Sequence, residues 1–211
     1  RGLGSSSTAI VAGLVAANYL SGKTLSKNEL VQLATEIEGH PDNVAPAILG
    51  GVTISFVDNG KANSLKFLPL KPFKLVAVVP DMPLATALAR KAIPKTVPHQ
   101  DAVFNTSRAS LLVGAMLTGE YQYLRPGLSD RLHQPYRAHL IPGMQEAFAA
   151  AVNVGAYNAI ISGSGSTLMA YVPINVSCNT VGEAMCKALS ENGLQSVYHI
   201  LDIYTEGASL L

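Results

Sequence analysis

Charge is scarce in this sequence: only 14% of its 211 residues are Asp, Glu, Lys or Arg, and the formal net charge is +1. So small a positive balance provides no footprint for nucleic acid. Apolar residues make up 48% of the chain, which excludes a disordered protein and supports a sizeable core. No uninterrupted apolar run reaches the roughly twenty residues that span a bilayer, so no membrane association is expected. Cysteine is nearly absent. Cys178 and Cys186 lack metal-ligand spacing and point to a reducing compartment, taken here as the cytoplasm. His99, His133, His139 and His199 are too isolated to argue for a metal, and no Ser-His-Asp or Cys-His signature is visible. Internal repeats, low-complexity segments and flexible linkers are also missing.

What is present begins at once. Gly2-Leu3-Gly4-Ser5-Ser6-Ser7-Thr8 runs straight into an apolar helical stretch, Ala9 to Leu20. A glycine- and serine-rich turn feeding a helix offers unpaired N–H groups and roughly half a positive charge to an anion. The same residues also fit a plain Gly-Ser cap on a core helix. No Lys follows in the Gly-Lys-Ser/Thr manner, so the loop is not a Walker A motif. The loop is already under way at Arg1, and residues ahead of it are expected.

Helical patterns cover Ser5 to Ser21 and, behind a Ser26–Glu29 capping box, a stretch ending at Glu38. Leu30, Leu33, Ala34 and Ile37 form the predicted core stripe of the second helix. Gly51 to Val57 and Ser64 to Leu68 read as strands around an Asp58-Asn59-Gly60 turn. Lys74 to Val79 reads as a buried strand, followed by a helix containing Thr86 and Arg90 and a longer one over Ala102 to Leu117. Beyond a Pro/Gly-punctuated stretch come a helix (Met144 to Val152), strands (Tyr157 to Ile161 and Leu168 to Val172), a helix (Val181 to Glu191) and a last strand (Val197 to Tyr204). A hairpin and mixed elements without a repeated βαβ rhythm argue for an α+β fold.

Several stations carry chemistry. Glu36 and Glu38 precede the turn His40-Pro41-Asp42-Asn43-Val44-Ala45-Pro46. A carboxylate near phosphates is a suitable Mg²⁺ ligand, although taken alone the glutamates read first as a solvated helix end. His40, Asp42 and Asn43 offer donors and acceptors to a hydroxyl or amine, or simply cap a turn. Arg90 shares a helix face with Thr86, and Arg131 and Arg137 flank Leu132-His133-Gln134-Pro135-Tyr136. In a chain this poor in charge, arginines suggest recognition of carboxylate or phosphate. Arg108 reads as a surface residue. Ser162-Gly163-Ser164-Gly165-Ser166 lies between two strands, either as an anion cradle or as a tight turn.

In order along the chain, Gly2-Leu3-Gly4-Ser5-Ser6, then Glu38-Gly39-His40-Pro41-Asp42-Asn43-Val44-Ala45-Pro46-Ala47, then Gly163-Ser164-Gly165, resemble the GHMP small-molecule kinases. The His-Pro-Asp-Asn-Val-Ala-Pro run, with Thr86-Ala87-Leu88-Ala89-Arg90 and Gln134-Pro135-Tyr136-Arg137, is most similar to the homoserine kinase branch. The resemblance implies a two-lobed α+β fold. Residues 1–71 would be the later part of an N-terminal ATP-binding lobe, and residues 72–211 a C-terminal α+β lobe. It implies ATP-dependent phosphorylation of the side-chain hydroxyl of L-homoserine, in threonine biosynthesis, with ATP and Mg²⁺ required and a homodimer compatible with the family.

Position by position, the resemblance implies that Gly2, Leu3, Gly4, Ser5, Ser6 and Ser7 wrap the ATP phosphates. Ser6 and Glu38 would hold Mg²⁺, with Glu36 a rival for Glu38. His40, Asp42 and Asn43 would line the substrate pocket, Asn43 beside the attacking hydroxyl and Asp42 as a proton acceptor, unless the reaction needs no base. Arg90 and Arg137 would clamp the substrate carboxylate beside Thr86, and Gly163, Ser164 and Gly165 would close the site. Departures are Ser7, where the family often has Ala, and Ser166, where Pro is usual. The upstream segment with its Gly-Pro-Gly-Phe-Asp type motif is not among these residues. The competing readings are a kinase for another small alcohol such as mevalonate, or a binding protein that has lost turnover.

Overall fold

A computed structural model describes residues 2–209. The chain divides into two compact units, one of Gly4–Leu68 with Ile203–Leu211, the other of Arg1–Leu3 with Pro69–Asp202.

The first unit starts with three helices, α1 (Ser5–Leu20), α2 (Lys27–Glu38) and α3 (Val44–Leu49). The capping box forms as read: Ser26 accepts from the Glu29 N–H while the Glu29 carboxylate accepts from the Ser26 N–H. Because those two donors begin an exposed helix end, Ser26→Ala is expected to cost about 1 kcal/mol. Chemical denaturation should show it as a lower midpoint at unchanged slope; an unchanged midpoint would mean that the box adds nothing. The buried face of α2 is Leu30, Val31, Ala34 and Thr35, rotated from the predicted stripe, and Ile37 is 62% exposed. Thr35 tolerates this burial because its hydroxyl donates to the Val31 carbonyl at 2.7 Å. Leu30, Val31 and Ala34 pack with Val11, Val44, Ala45 and Ile48.

Two antiparallel strands follow, β1 (Val52–Asp58) and β2 (Lys61–Phe67). Asn59 and Gly60 both have positive φ, 49° and 77°, as a two-residue hairpin turn requires. So tight a turn lets pairing begin at Asp58 and Lys61, which is why β2 starts three residues earlier than its apolar run suggests. The tail from Ile203 is stitched to this unit by backbone bonds from Gly51 to Tyr204 and from Ala208 to Ala47. Lys66 Nζ reinforces it by donating to the carbonyls of Leu49 and Thr205.

The second unit contains β3 (Lys74–Pro80), α4 (Thr86–Lys91), α5 (His99–Thr118), α6 (Leu124–Gly127), α7 (Gln134–Arg137), α8 (Met144–Asn153), β4 (Asn158–Ile161), β5 (Leu168–Val172), α9 (Cys178–Glu191) and β6 (Ser196–Leu201). Its four strands lie in the order β4-β5-β3-β6, and every pair is antiparallel. With α8 before β4 and α9 before β6, this is the split β-α-β arrangement. Val76, Val78, Leu168, Ala170 and Val172 of the sheet bury against Met144, Ala147 and Ala151 of α8 and Val181, Met185 and Leu189 of α9. Each large side chain fully removed from water contributes about 1.5–3 kcal/mol.

Two expectations need adjustment here. β6 stops at Leu201 rather than Tyr204, because its partner β3 begins at Lys74, whose ammonium meets Asp202 at 2.6 Å. The Pro/Gly-punctuated stretch contains α6, α7 and two single 3₁₀ turns, all too short to leave a periodic pattern.

Candidate active site

In the first unit the chemistry gathers at the start of α1. Gly4 precedes the helix with φ 71°, and no side chain caps it. The first intrahelical bond runs from the Thr8 N–H to the Gly4 carbonyl, so the N–H groups of Ser5, Ser6 and Ser7 lie ahead of the helical ladder. An open end on a 16-residue helix is a receptor for anionic oxygen. A Cβ added to Gly4 would come within 3.9 Å of Asn43 Cβ, so the loop runs alongside that side chain.

Glu38, the last residue of α2, meets this end. Ser6 Oγ donates to Oε2 and Ser7 Oγ donates to Oε1, each at 2.9 Å. Glu36 instead accepts from Gln32 Nε2 one turn back, at 2.7 Å. Two residues apart on a helix means about 200° of rotation, so only one of the two carboxylates can face the loop. One carboxylate and two hydroxyls are hard oxygen donors, the kind Mg²⁺ takes together with waters and phosphate oxygens. Among the described residues no group of three or more His, Cys, Asp and Glu side chains is poised to enclose a metal. A cation here would therefore complete its shell from water and substrate.

Beyond Gly39, whose φ of 90° ends α2, the chain turns through His40 to Asn43. The turn closes with the Ala45 N–H on the Pro41 carbonyl at 2.9 Å, which buries Val44 and Ala45 and leaves Asp42 and Asn43 exposed. His40 Nδ1 lies 3.9 Å from Asp42 Oδ2, and the Asp42 carboxylate is 72% exposed.

In the second unit the chemistry gathers around the glycine loop between β4 and β5. Ser162 Oγ donates to the Gly2 carbonyl at 2.7 Å, and a Cβ on Gly2 would sit 2.3 Å from the Ser162 carbonyl oxygen. Only glycine fits there. Gly165 N–H returns to the Ser162 carbonyl, and the buried Ser166 hydroxyl donates to the Met82 carbonyl. The Ser164 and Thr86 hydroxyls are 3.3 Å apart. Leu3 and Ser5 are exposed.

Arg137 ties this region together. Its Nε donates to the Ala89 carbonyl of α4 at 3.2 Å and its Nη1 to the Gly163 carbonyl at 3.1 Å. Burial lowers its pKa, the Asp130 charge raises it, and the charge of Arg90 lowers it. Thus Arg90, exposed on α4 one residue beyond Ala89, lies within electrostatic reach. Arg131 turns away to α5, where it pairs with Asp101 at 3.2 Å and covers the Phe104 ring.

Three residues of this unit had no individual role assigned from the sequence. Ser162 holds Gly2, Gln134 Oε1 accepts from the Ile161 N–H, and Asp130 organises the turn before α7. The Asp130 carboxylate accepts from the N–H groups of Leu132, His133 and Gln134 and from Asn105 Nδ2. Burial pushes its pKa up, but these four donors outweigh burial and hold it below the ordinary carboxylate value. An Asp four residues ahead of a Gln-Pro helix start was the available signal.

The GHMP kinases N terminal domain matches residues 1–51 and the GHMP kinases C terminal domain matches residues 112–191. The homoserine kinase of Desulfitobacterium hafniense is 43% identical over 211 residues, covering 100% of this chain and 71% of that protein. The homoserine kinase of Carboxydothermus hydrogenoformans is 45% identical over 205 residues, covering 97% of this chain and 65% of that protein. The crystal structure of homoserine kinase from Cytophaga hutchinsonii superposes with a TM-score of 0.94 at 27% identity, over 100% of this chain and 69% of that one. The chain spans about two thirds of the length of these relatives.

Proposed function

Because the chain belongs to the homoserine kinase family of the GHMP kinases, we propose that it carries out ATP-dependent phosphorylation of the side-chain hydroxyl of L-homoserine, yielding O-phospho-L-homoserine for threonine biosynthesis. The observation that carries this reading is the Ser6–Glu38–Ser7 cluster set against the open N-terminus of α1. On this reading residues 1–71 serve as part of an ATP-binding lobe and residues 72–211 as a C-terminal lobe.

Phosphoryl transfer asks mainly for in-line placement and for neutralisation of charge on the γ-phosphate. Gly2 to Ser7 supply backbone N–H groups to the phosphates, and the dipole of α1 adds its positive end. Mg²⁺, held by Glu38 and the Ser6 hydroxyl, would neutralise charge across the β- and γ-phosphates. The substrate oxygen forms its bond to the γ-phosphorus as the bond to the β–γ bridging oxygen breaks. Asn43 holds the hydroxyl in line, with His40 beside it. The hydroxyl proton leaves to Asp42 or, without a protein base, with the phosphoryl group itself. Arg90 and Arg137 recognise the substrate carboxylate, with Thr86 and Gly163 to Gly165 adjacent.

Among the described residues no helix is long and apolar enough to cross a membrane. Both cysteines are unpaired, and the reading places the enzyme in the cytoplasm. The test is a coupled ADP-release assay on the full-length protein that carries this chain. L-Homoserine should support Mg²⁺-dependent turnover with a kcat/KM on the order of a hundredfold or more above mevalonate, because an arginine clamp set for one carboxylate position rejects a misplaced one. Turnover of mevalonate in preference would move the assignment to another alcohol. Tight binding of homoserine without turnover would favour a binding role.

A further inference from the structure

Arg137 is 8% exposed, yet the helix that carries it has only four residues, Gln134–Arg137. So short a helix has no cooperative stability of its own. Something else must fix the direction of the guanidinium.

The structure shows three ties. Gln134 Oε1 accepts from the Ile161 N–H at 2.9 Å, which fastens the start of α7 to the end of β4. Arg137 itself spends Nε and Nη1 on the carbonyls of Ala89 and Gly163. The third tie lies upstream. Asp130 Oδ1 accepts from the Leu132 N–H at 2.9 Å and from Asn105 Nδ2 at 2.6 Å, while Oδ2 accepts from the N–H groups of His133 and Gln134 at 2.8 and 2.5 Å. Asn105 completes the link from the α5 side, because its Oδ1 accepts from the Arg131 N–H at 2.8 Å. One carboxylate therefore sets both the entry into α7 and its attachment to a 20-residue helix. The same charge acts on the guanidinium of Arg137, where it opposes the effects of burial and of Arg90.

We propose that Asp130 is a positioning residue for substrate recognition: with Asn105 it orients α7 so that Arg137 brackets α4 and the glycine loop, leaving Nη2 for the substrate carboxylate. Nη2 makes no hydrogen bond among the described residues, which is consistent with that remaining role. The assignment rests on the proposed homoserine kinase activity for its substrate, but not for its geometry. Asp130 itself touches no reacting atom. Its effect passes through the four N–H donors and through Arg137.

Two measurements on the full-length protein separate the possibilities. The first is the ratio of kcat/KM for L-homoserine to that for L-homoserine methyl ester, which lacks the negative charge. In Asp130→Asn this ratio should fall by about tenfold or more, the loss of one well-aimed charge-assisted contact, with KM for ATP within about twofold. Mere loss of stability would lower both substrates together and leave the ratio alone. The second measurement needs no substrate: hydrogen exchange of the Arg137 Nε–H, followed by ¹⁵N NMR, should quicken by about tenfold or more in Asp130→Asn. Asn105→Ala keeps the Asp130 bonds to α7 and removes only the tether to α5. It should give a smaller change in the same direction, and it carries the test if Asp130→Asn does not fold. A folded variant with unchanged Nε–H exchange and an unchanged ratio overturns the proposal. A wild-type protein that phosphorylates neither compound overturns the homoserine assignment, while the exchange rates still decide the role of Asp130.

Discussion

Glu38→Gln should lower kcat for L-homoserine by on the order of a hundredfold or more, and raise the Mg²⁺ concentration needed for half-maximal rate by about tenfold. Glutamine keeps the shape of the side chain, and its carbonyl can still accept from one of the two hydroxyls that now meet the carboxylate at 2.9 Å. What it removes is the negative charge, and with it the reason for a divalent cation to settle beside an otherwise electropositive helix end. Thermal stability should change little, since Glu38 is only half-buried. The control is Glu36→Gln. That side chain bonds Gln32 on another face of α2, and its loss should leave kcat within about twofold. Mg²⁺ titration of the initial rate at fixed ATP reads both variants. Equal effects of the two substitutions would remove Glu38 from the metal and return the question to either carboxylate.

Arg137→Ala carries the second large effect, and it should appear in stability and in catalysis together. Truncation leaves the Ala89 and Gly163 carbonyls without the guanidinium that now serves both, at a position 8% exposed. Two under-satisfied acceptors of this kind cost about 2–4 kcal/mol in all, enough to lower the melting temperature by several degrees. In the same variant kcat/KM for L-homoserine should fall on the order of a thousandfold, because the carboxylate loses a planar donor and the glycine loop loses its bracket. Arg137→Lys should rescue little. A single ammonium cannot reach two carbonyls as a fork does. Arg90→Ala makes the contrast: from an exposed position on α4 it should raise KM for homoserine with a small change in melting temperature. If Arg137→Ala melts as the wild type does, the bracket is not a structural element. If it destabilises but keeps its KM, the carboxylate is bound elsewhere.

Both predictions concern residues whose type and order are visible in the chain but whose pairing is not. The serine-rich loop, the glutamate pair and the His-Pro-Asp-Asn turn are each local runs of sequence, and their chemistry follows from local rules about helix ends and hard oxygen ligands. Choosing between Glu36 and Glu38 required the rotation of α2 about its axis. The apolar stripe including Ile37 gives the wrong rotation, because Thr35 buries its hydroxyl against its own helix and Ile37 stays exposed. Arg131 and Arg137 look alike in sequence, each two residues before a His, yet one lies over Phe104 and the other brackets two carbonyls. Asp130 left almost no trace, since a side chain that caps a four-residue helix has no period to reveal it.

By itself the sequence determined the secondary elements that have a period, a cap or an obligatory turn residue: α1 with its glycine approach, the Ser26 box, the Asn59-Gly60 hairpin, β5 and α9. Those are decided within a few residues by backbone sterics and by the hydrogen bonds that a helix end must find. Tertiary structure alone decided which carboxylate faces the serine-rich loop, which arginine is buried, and how strands β3 to β6 take the order β4-β5-β3-β6. Those choices depend on bonds between residues tens of positions apart, such as Ser6 to Glu38 and Arg137 to Ala89. A linear sequence contains both partners of such a bond, but only packing brings one pair together and keeps its rivals apart.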